Sequence, residues 1–132
     1  MKLIITTEIY TTEFLPYAQT FNLDVLKSSA RKALLGLGDM VSTSRRMPGT
    51  VLKKMSLTSS GGAGRVLFLL QVGKGVAVLV MMWQKNDKQI GQNMAIVNPR
   101  FKKLLEKNMD KILKELEAGR FREWLILVSL SG

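Results

Sequence analysis

The spacing of apolar positions changes several times along this 132-residue chain, and each change predicts a different element. Lys2 to Ile9 (KLIITTEI) is rich in β-branched residues and reads as a strand. Thr11 or Thr12 is then expected to cap a short helix that carries Phe14, Leu15 and Tyr17, with Pro16 accommodated in its first turn. From Leu23 onward the period becomes helical: Leu23, Leu26, Ala30, Ala33, Leu34 and Leu37 fall on one face. Asn22 stands at the N-cap position of that helix, and Gly36 and Gly38 end it. Gly38 to Gly49 (GDMVSTSRRMPG) carries turn residues and no clear period, and reads as irregular.

Three strands follow in close succession, Val51 to Leu57, Arg65 to Val72 and Val76 to Trp83. The last two are joined by Gly73-Lys74-Gly75, a short glycine-containing turn that favours a hairpin. Leu67 to Leu70 and Val76 to Met82 are apolar at both alternating positions, so these two strands are expected to be covered on both faces, with helices as the cover. Asn98 and Pro99 then open a helix whose apolar stripe runs through Phe101, Leu104, Leu105, Met109, Ile112, Leu113 and Leu116 until Gly119. Trp124 to Leu130 (WLILVSL) is an apolar tail that reads as a terminal strand in preference to a helix. The predicted class is α+β: an N-terminal strand and two helices, an antiparallel sheet meander, and a C-terminal helix, in a single domain over residues 1–132 with an extension at about 120–132.

Composition removes several chemistries. The chain has neither cysteine nor histidine, which excludes disulfides, Cys/His zinc sites, cysteine nucleophiles and histidine-based triads. No cofactor or metal is expected. The longest apolar run, Val76 to Trp83, falls short of the roughly 18 residues that suggest a membrane span. The N-terminal segment reads as a first strand without a leader, and a cytoplasmic protein with no membrane partner is expected. Trp83 and Trp124 offer rings on which bases could stack, but with strong apolar neighbours they read first as core-packing residues, as do the eight methionines.

Charge changes the picture more. The net charge is +10, and its whole excess lies between residues 45 and 103, where eleven basic side chains face the single acid Asp87. A segment so one-sided points to a polyanionic partner, nucleic acid first. Within it lies SSGGAGRVLFLLQV, residues 59–72, a glycine-rich stretch that opens a strand. Phosphate loops of the nucleotide-binding kinds require a helix after the glycines, and a Gly-Lys-Ser/Thr ending in one of them. The stretch therefore reads as a connection between antiparallel strands that delivers Arg65 to the start of an apolar strand. With Lys54 or Lys53 on the preceding strand and Lys85 after the following one, Arg65 is expected to form a basic cluster able to hold a phosphate.

Taken in order, PGTVLKKMSL, SSGGAGRVLFLL, VLVMMWQKNDKQI and NPRFKKLLEKNMDKIL resemble the RelE/HigB-like toxins of type II toxin–antitoxin modules, over roughly residues 14 to 113. The resemblance implies a RelE-like fold and a small, metal-independent endoribonuclease that cleaves messenger RNA in the ribosome, inhibits translation and is silenced by a cognate antitoxin. It makes Arg65 the phosphate-binding arginine, Lys54 the charged residue of the preceding strand, and Lys85 the basic position after the third strand. Lys53, Arg45, Arg46 and Lys88 are the accompanying RNA-binding candidates. The implied reaction is attack of a ribose 2′-hydroxyl on its own 3′-phosphate. The chain departs from the pattern after the third strand, where Asn86, Gln89 and Gln92 stand in the region in which many relatives place tyrosine or histidine. A non-catalytic or degenerate RelE/ParE-fold module, binding nucleic acid or a protein target such as gyrase through its basic face, is the alternative.

Overall fold

The computed structural model describes residues 1–43, 47–85 and 98–127. Arg45, Arg46 and Lys88 lie outside the described residues, as do Asn86, Gln89, Gln92 and the tail from 128. The elements in chain order are β1 (Lys2–Thr6), α1 (Thr7–Ile9) with a following π turn (Tyr10–Phe14) and 3-10 turn (Leu15–Tyr17), α2 (Leu23–Leu34), β2 (Asp39–Thr43), β3 (Val51–Ser59), β4 (Gly62–Gln71), β5 (Val76–Gln84), α3 (Pro99–Glu117) and β6 (Phe121–Leu125). The strands form one six-stranded sheet in the order β2-β3-β4-β5-β1-β6. Its pairings are antiparallel except for β1 against β5. The fold is thus α+β with a mainly antiparallel sheet, as the apolar pattern predicts.

Three expectations about the first part of the chain are corrected. The strand does not reach Ile9, because the chain turns helical at Thr7, and long-range contacts stabilise that turn. The Thr7 hydroxyl donates to the Arg120 carbonyl at 3.1 Å, and the Glu8 N–H donates to Glu115 Oε1 on α3 at 2.9 Å. Thr11 and Thr12 are inside the helical segment and donate their hydroxyls to the Thr7 and Glu8 carbonyls, at 3.4 and 3.0 Å, so neither is a cap. The supposedly irregular Gly38–Gly49 stretch contains β2, an outer strand that pairs with β3 through a register shift between Met40 and Ser42. A bulged outer strand with an exposed Met40 leaves little alternation for a sequence to display.

Elsewhere the local chemistry acts as expected. Asn22 Oδ1 accepts the Val25 N–H at 3.0 Å and caps α2, and Asn98 Oδ1 accepts the Arg100 N–H at 3.1 Å with Pro99 at the first turn of α3. After α2 the chain closes at Gly36, with φ near +98°, where a side chain would be strained. Val66–Leu70 of β4 and Val76–Met82 of β5 are buried at every position, so both faces of the central strands are covered. α2 lies on the face that carries Lys53, Met55 and Phe68, and α3 packs on β5, β1 and α1. The terminal strand forms, but earlier than the apolar tail implies. β6 pairs with β1 from Phe121 to Leu125, and Trp124 stacks on Tyr10 at 6.4 Å between ring centroids. Among the described residues, no helix is long and apolar enough to cross a membrane.

Candidate nucleic-acid interface

The glycine-rich stretch is a tight hairpin. β3 ends at Ser59 and β4 begins at Gly62, with Ser59 opposite Gly62, so only Ser60 and Gly61 form the turn. The Gly61 N–H is held by Ser59 Oγ at 3.2 Å, and Gly62 takes a φ of +141°, a region that favours glycine. Ala63 and Gly64 are already strand. At Gly64 a Cβ would stand 2.8 Å from the Phe21 ring and 2.8 Å from the Trp83 carbonyl oxygen. Gly64→Ala is therefore expected to destabilise the protein by about 1–3 kcal/mol through overpacking against backbone, measurable as a lower urea midpoint with an unchanged slope.

This hairpin fixes where the charges go. Arg65 of β4 lies opposite Ser56 of β3 and opposite Trp83 of β5. Residues opposite one another in a ladder share a sheet face, so Ser56, Arg65 and Trp83 form one cross-strand row. The Arg65 Nη1 donates to Ser56 Oγ at 3.0 Å, which aims the guanidinium along the row. Lys54 is two residues before Ser56 and hence on the same face, diagonal to Arg65 at a spacing of about 7–8 Å between backbones.

Lys53 points to the other face, where its Nζ donates to the Ala33 carbonyl near the end of α2 at 3.5 Å. That places its charge at the negative end of the helix dipole. The choice between Lys54 and Lys53 left open by the sequence thus falls on Lys54 as the partner of Arg65. Lys85 continues the β4–β5 pairing, its N–H donating to the Ala63 carbonyl at 3.0 Å, and its exposed side chain stands at the end of the sheet.

The pattern alone did not single out Trp83 as a site residue. It is only half-buried, and its indole Nε1 is buried without a partner among the described residues. Two further polar groups, Glu13 and Asn108, also escaped the sequence reading. β1 pairs with β5 only as far as Val78, so the edge of β5 beyond that point needs other partners. Asn108 Nδ2 donates to the Val80 carbonyl at 2.8 Å, and the Met82 N–H donates to Glu13 Oε1 at 3.3 Å. Burial pushes the Glu13 carboxyl from 4.5 up to about 7, against the opposing pull of the Met82 N–H, the Asn108 amide, Lys111 and Lys107. Asn108 had a signal in the sequence, since it interrupts the apolar stripe of α3 one residue before Met109. Among the described residues, no cluster of His, Cys, Asp or Glu side chains is placed to hold a metal.

Beside Lys85 the sheet end opens into a cavity of about 450 Å³, lined by Thr20, Phe21, Gly61, Gly62, Ala63, Gln84 and Lys85. Chemically, the row and its neighbours can bind a phosphodiester by a fork of N–H donors and a nearby ammonium, next to an aromatic ring. Comparison with protein-family models, with curated proteins and with solved structures finds no match for this chain.

Proposed function

We propose that this chain is a RelE/HigB-like toxin: a single-domain, metal-independent endoribonuclease that cleaves messenger RNA on the ribosome in the cytoplasm and is silenced by a cognate antitoxin. The observation that carries the reading is the placement of Arg65 and Lys54 on one sheet face, with Ser56 orienting the guanidinium. In this reading Arg65 binds the scissile phosphate as a charge-assisted fork, and Lys54 adds positive charge where the phosphorus gains negative charge on attack. The ribose 2′-oxygen forms the new bond to phosphorus and the bond to the 5′-oxygen breaks. The products are a 2′,3′-cyclic phosphate and a 5′-hydroxyl. Lys85 supports the same phosphate or the next one at the sheet's end.

The opposite orientations of Lys53 and Lys54 give a sharp test. On induced expression, Lys54→Ala is expected to relieve growth arrest, whereas Lys53→Ala leaves it intact because that amine faces α2. Equal relief by the two substitutions would contradict the site. The second reading, a binding module without catalysis, draws on the position of Glu13. The carboxyl that titrates near neutrality is engaged with Met82 and Asn108 at the β5 edge, where it serves the fold. In that case the protein still binds RNA, DNA or a protein target such as gyrase through the Arg65 face, and RNA stays intact.

A further inference from the structure

The cavity at the hairpin tip has a lining with a definite chemical bias. It is lined by Gly61, Gly62 and Ala63 of the hairpin, by Thr20 and Phe21, and by Gln84 and Lys85. Among the described residues the polar side chains of the lining are one hydroxyl, one carboxamide and one ammonium, with no carboxylate. That set disfavours a cation and suits a neutral ring that carries an anion. The carboxamide offers both a donor and acceptor at a fixed spacing, as the edge of a nucleobase requires. The ammonium is a point charge suited to phosphate. A volume of about 450 Å³ lies in the range of ligand clefts. The small hairpin residues leave the slot open, and at Gly61 an added Cβ would already come within 3.2 Å of Thr20 Cγ2.

The cavity also lies next to the proposed phosphate site. Gln84 is opposite Gly64 on the face toward Phe21, whereas Trp83 is opposite Arg65 on the other face, so the slot and the Ser56–Arg65–Trp83 row lie on opposite faces of the sheet and adjoin at its end beside Lys85. A chain that leaves the slot past Lys85 crosses the end of the sheet toward Arg65.

We propose that this cavity receives a nucleobase, with Gln84 hydrogen-bonding its edge and Lys85 holding the attached phosphate. This extends the ribonuclease reading by naming a base-binding subsite, and it rests on that reading only for the source of the base. The ligand chemistry, a base joined to a phosphate, is shared by free nucleotides and by an RNA strand.

The test is an amide NMR titration of the whole chain with the four 5′-ribonucleoside monophosphates, a short oligoribonucleotide and ribose 5-phosphate. The expected result is a shift of the Gly61, Gly62 and Ala63 signals by at least one nucleotide, with ribose 5-phosphate binding ten-fold or more weakly. Gln84→Ala removes most of that difference, and Lys85→Ala weakens both ligands. Gln84 is exposed at the strand end, so its substitution leaves the fold intact, and the wild-type comparison decides even without it. Shifts with the oligomer only assign the slot to an RNA strand, and shifts with monomers alone assign it to a free nucleotide. Equal binding of ribose 5-phosphate and nucleotides would overturn the subsite. So would an oligomer that perturbs Arg65 and Trp83 while the hairpin tip stays silent, and that second outcome leaves the ribonuclease reading standing.

Discussion

Glu13→Gln makes the protein more stable relative to the wild type as pH rises from 4.5 to 8, by about 3 kcal/mol. The sign follows from burial. The Glu13 carboxyl titrates near 4.5 in the unfolded chain and at about 7 in the fold, so the folded state holds a proton that the unfolded state releases. Its contribution to stability is fully present below pH 4.5 and is lost as pH rises through 7. Glutamine keeps an acceptor for the Met82 N–H and never charges, so the variant lacks this loss. Urea unfolding at pH 5 and pH 8 measures the effect, read as the difference between wild type and variant at each pH. A difference that stays constant between those pH values would show that Glu13 is charged in the fold throughout, with Lys107, Lys111 and Asn108 outweighing its burial.

Removing the two charges on the Arg65 face gives the larger functional effect. The loss of a single group that stabilises developing charge typically costs 10²–10³ in rate. Lys54→Ala with Arg65→Ala is therefore expected to lower cleavage of ribosome-bound messenger RNA by about 10³-fold or more, though less than the product of the single losses because both act on one phosphate. Both side chains are half-exposed, and neither fills the core. The unfolding midpoint of the double variant should stay near that of wild type, which separates loss of chemistry from loss of fold. Cleavage by the double variant within ten-fold of wild type would move the site elsewhere on the basic segment.

The sequence displayed its central elements well because they are governed by local rules. Val66–Leu70 of β4 and Val76–Met82 of β5 are apolar at every position, α2 and α3 carry their own caps in Asn22 and Asn98, and the glycines after these two helices mark the stops. What it concealed depends on distant partners. Thr7 reads as strand until Arg120 and Glu115 are brought beside it, and β2 lacks alternation because it is a bulged outer strand. Glu13 gave no signal because its partner is a backbone N–H on β5, 69 positions away.

The site was legible in type and only partly in geometry. Alternation alone says that Lys53 and Lys54 face opposite ways, but only the ladder register pairs Ser56 with Arg65 and so selects Lys54. The same register puts Trp83 beside Arg65, where apolar neighbours along the chain had pointed to the core. Candidates Arg45, Arg46 and Lys88 are outside the described residues, so the basic face is defined here by Arg65, Lys54 and Lys85.

The most direct test of the central claim is the chemistry of messenger RNA ends after induced expression. Wild type should generate new internal ends in translated messages, with a 2′,3′-cyclic phosphate upstream and a 5′-hydroxyl downstream, and the Lys54/Arg65 double alanine should generate none. Growth arrest by wild-type protein with every message intact would contradict a ribonuclease and favour a binding module acting through the same face.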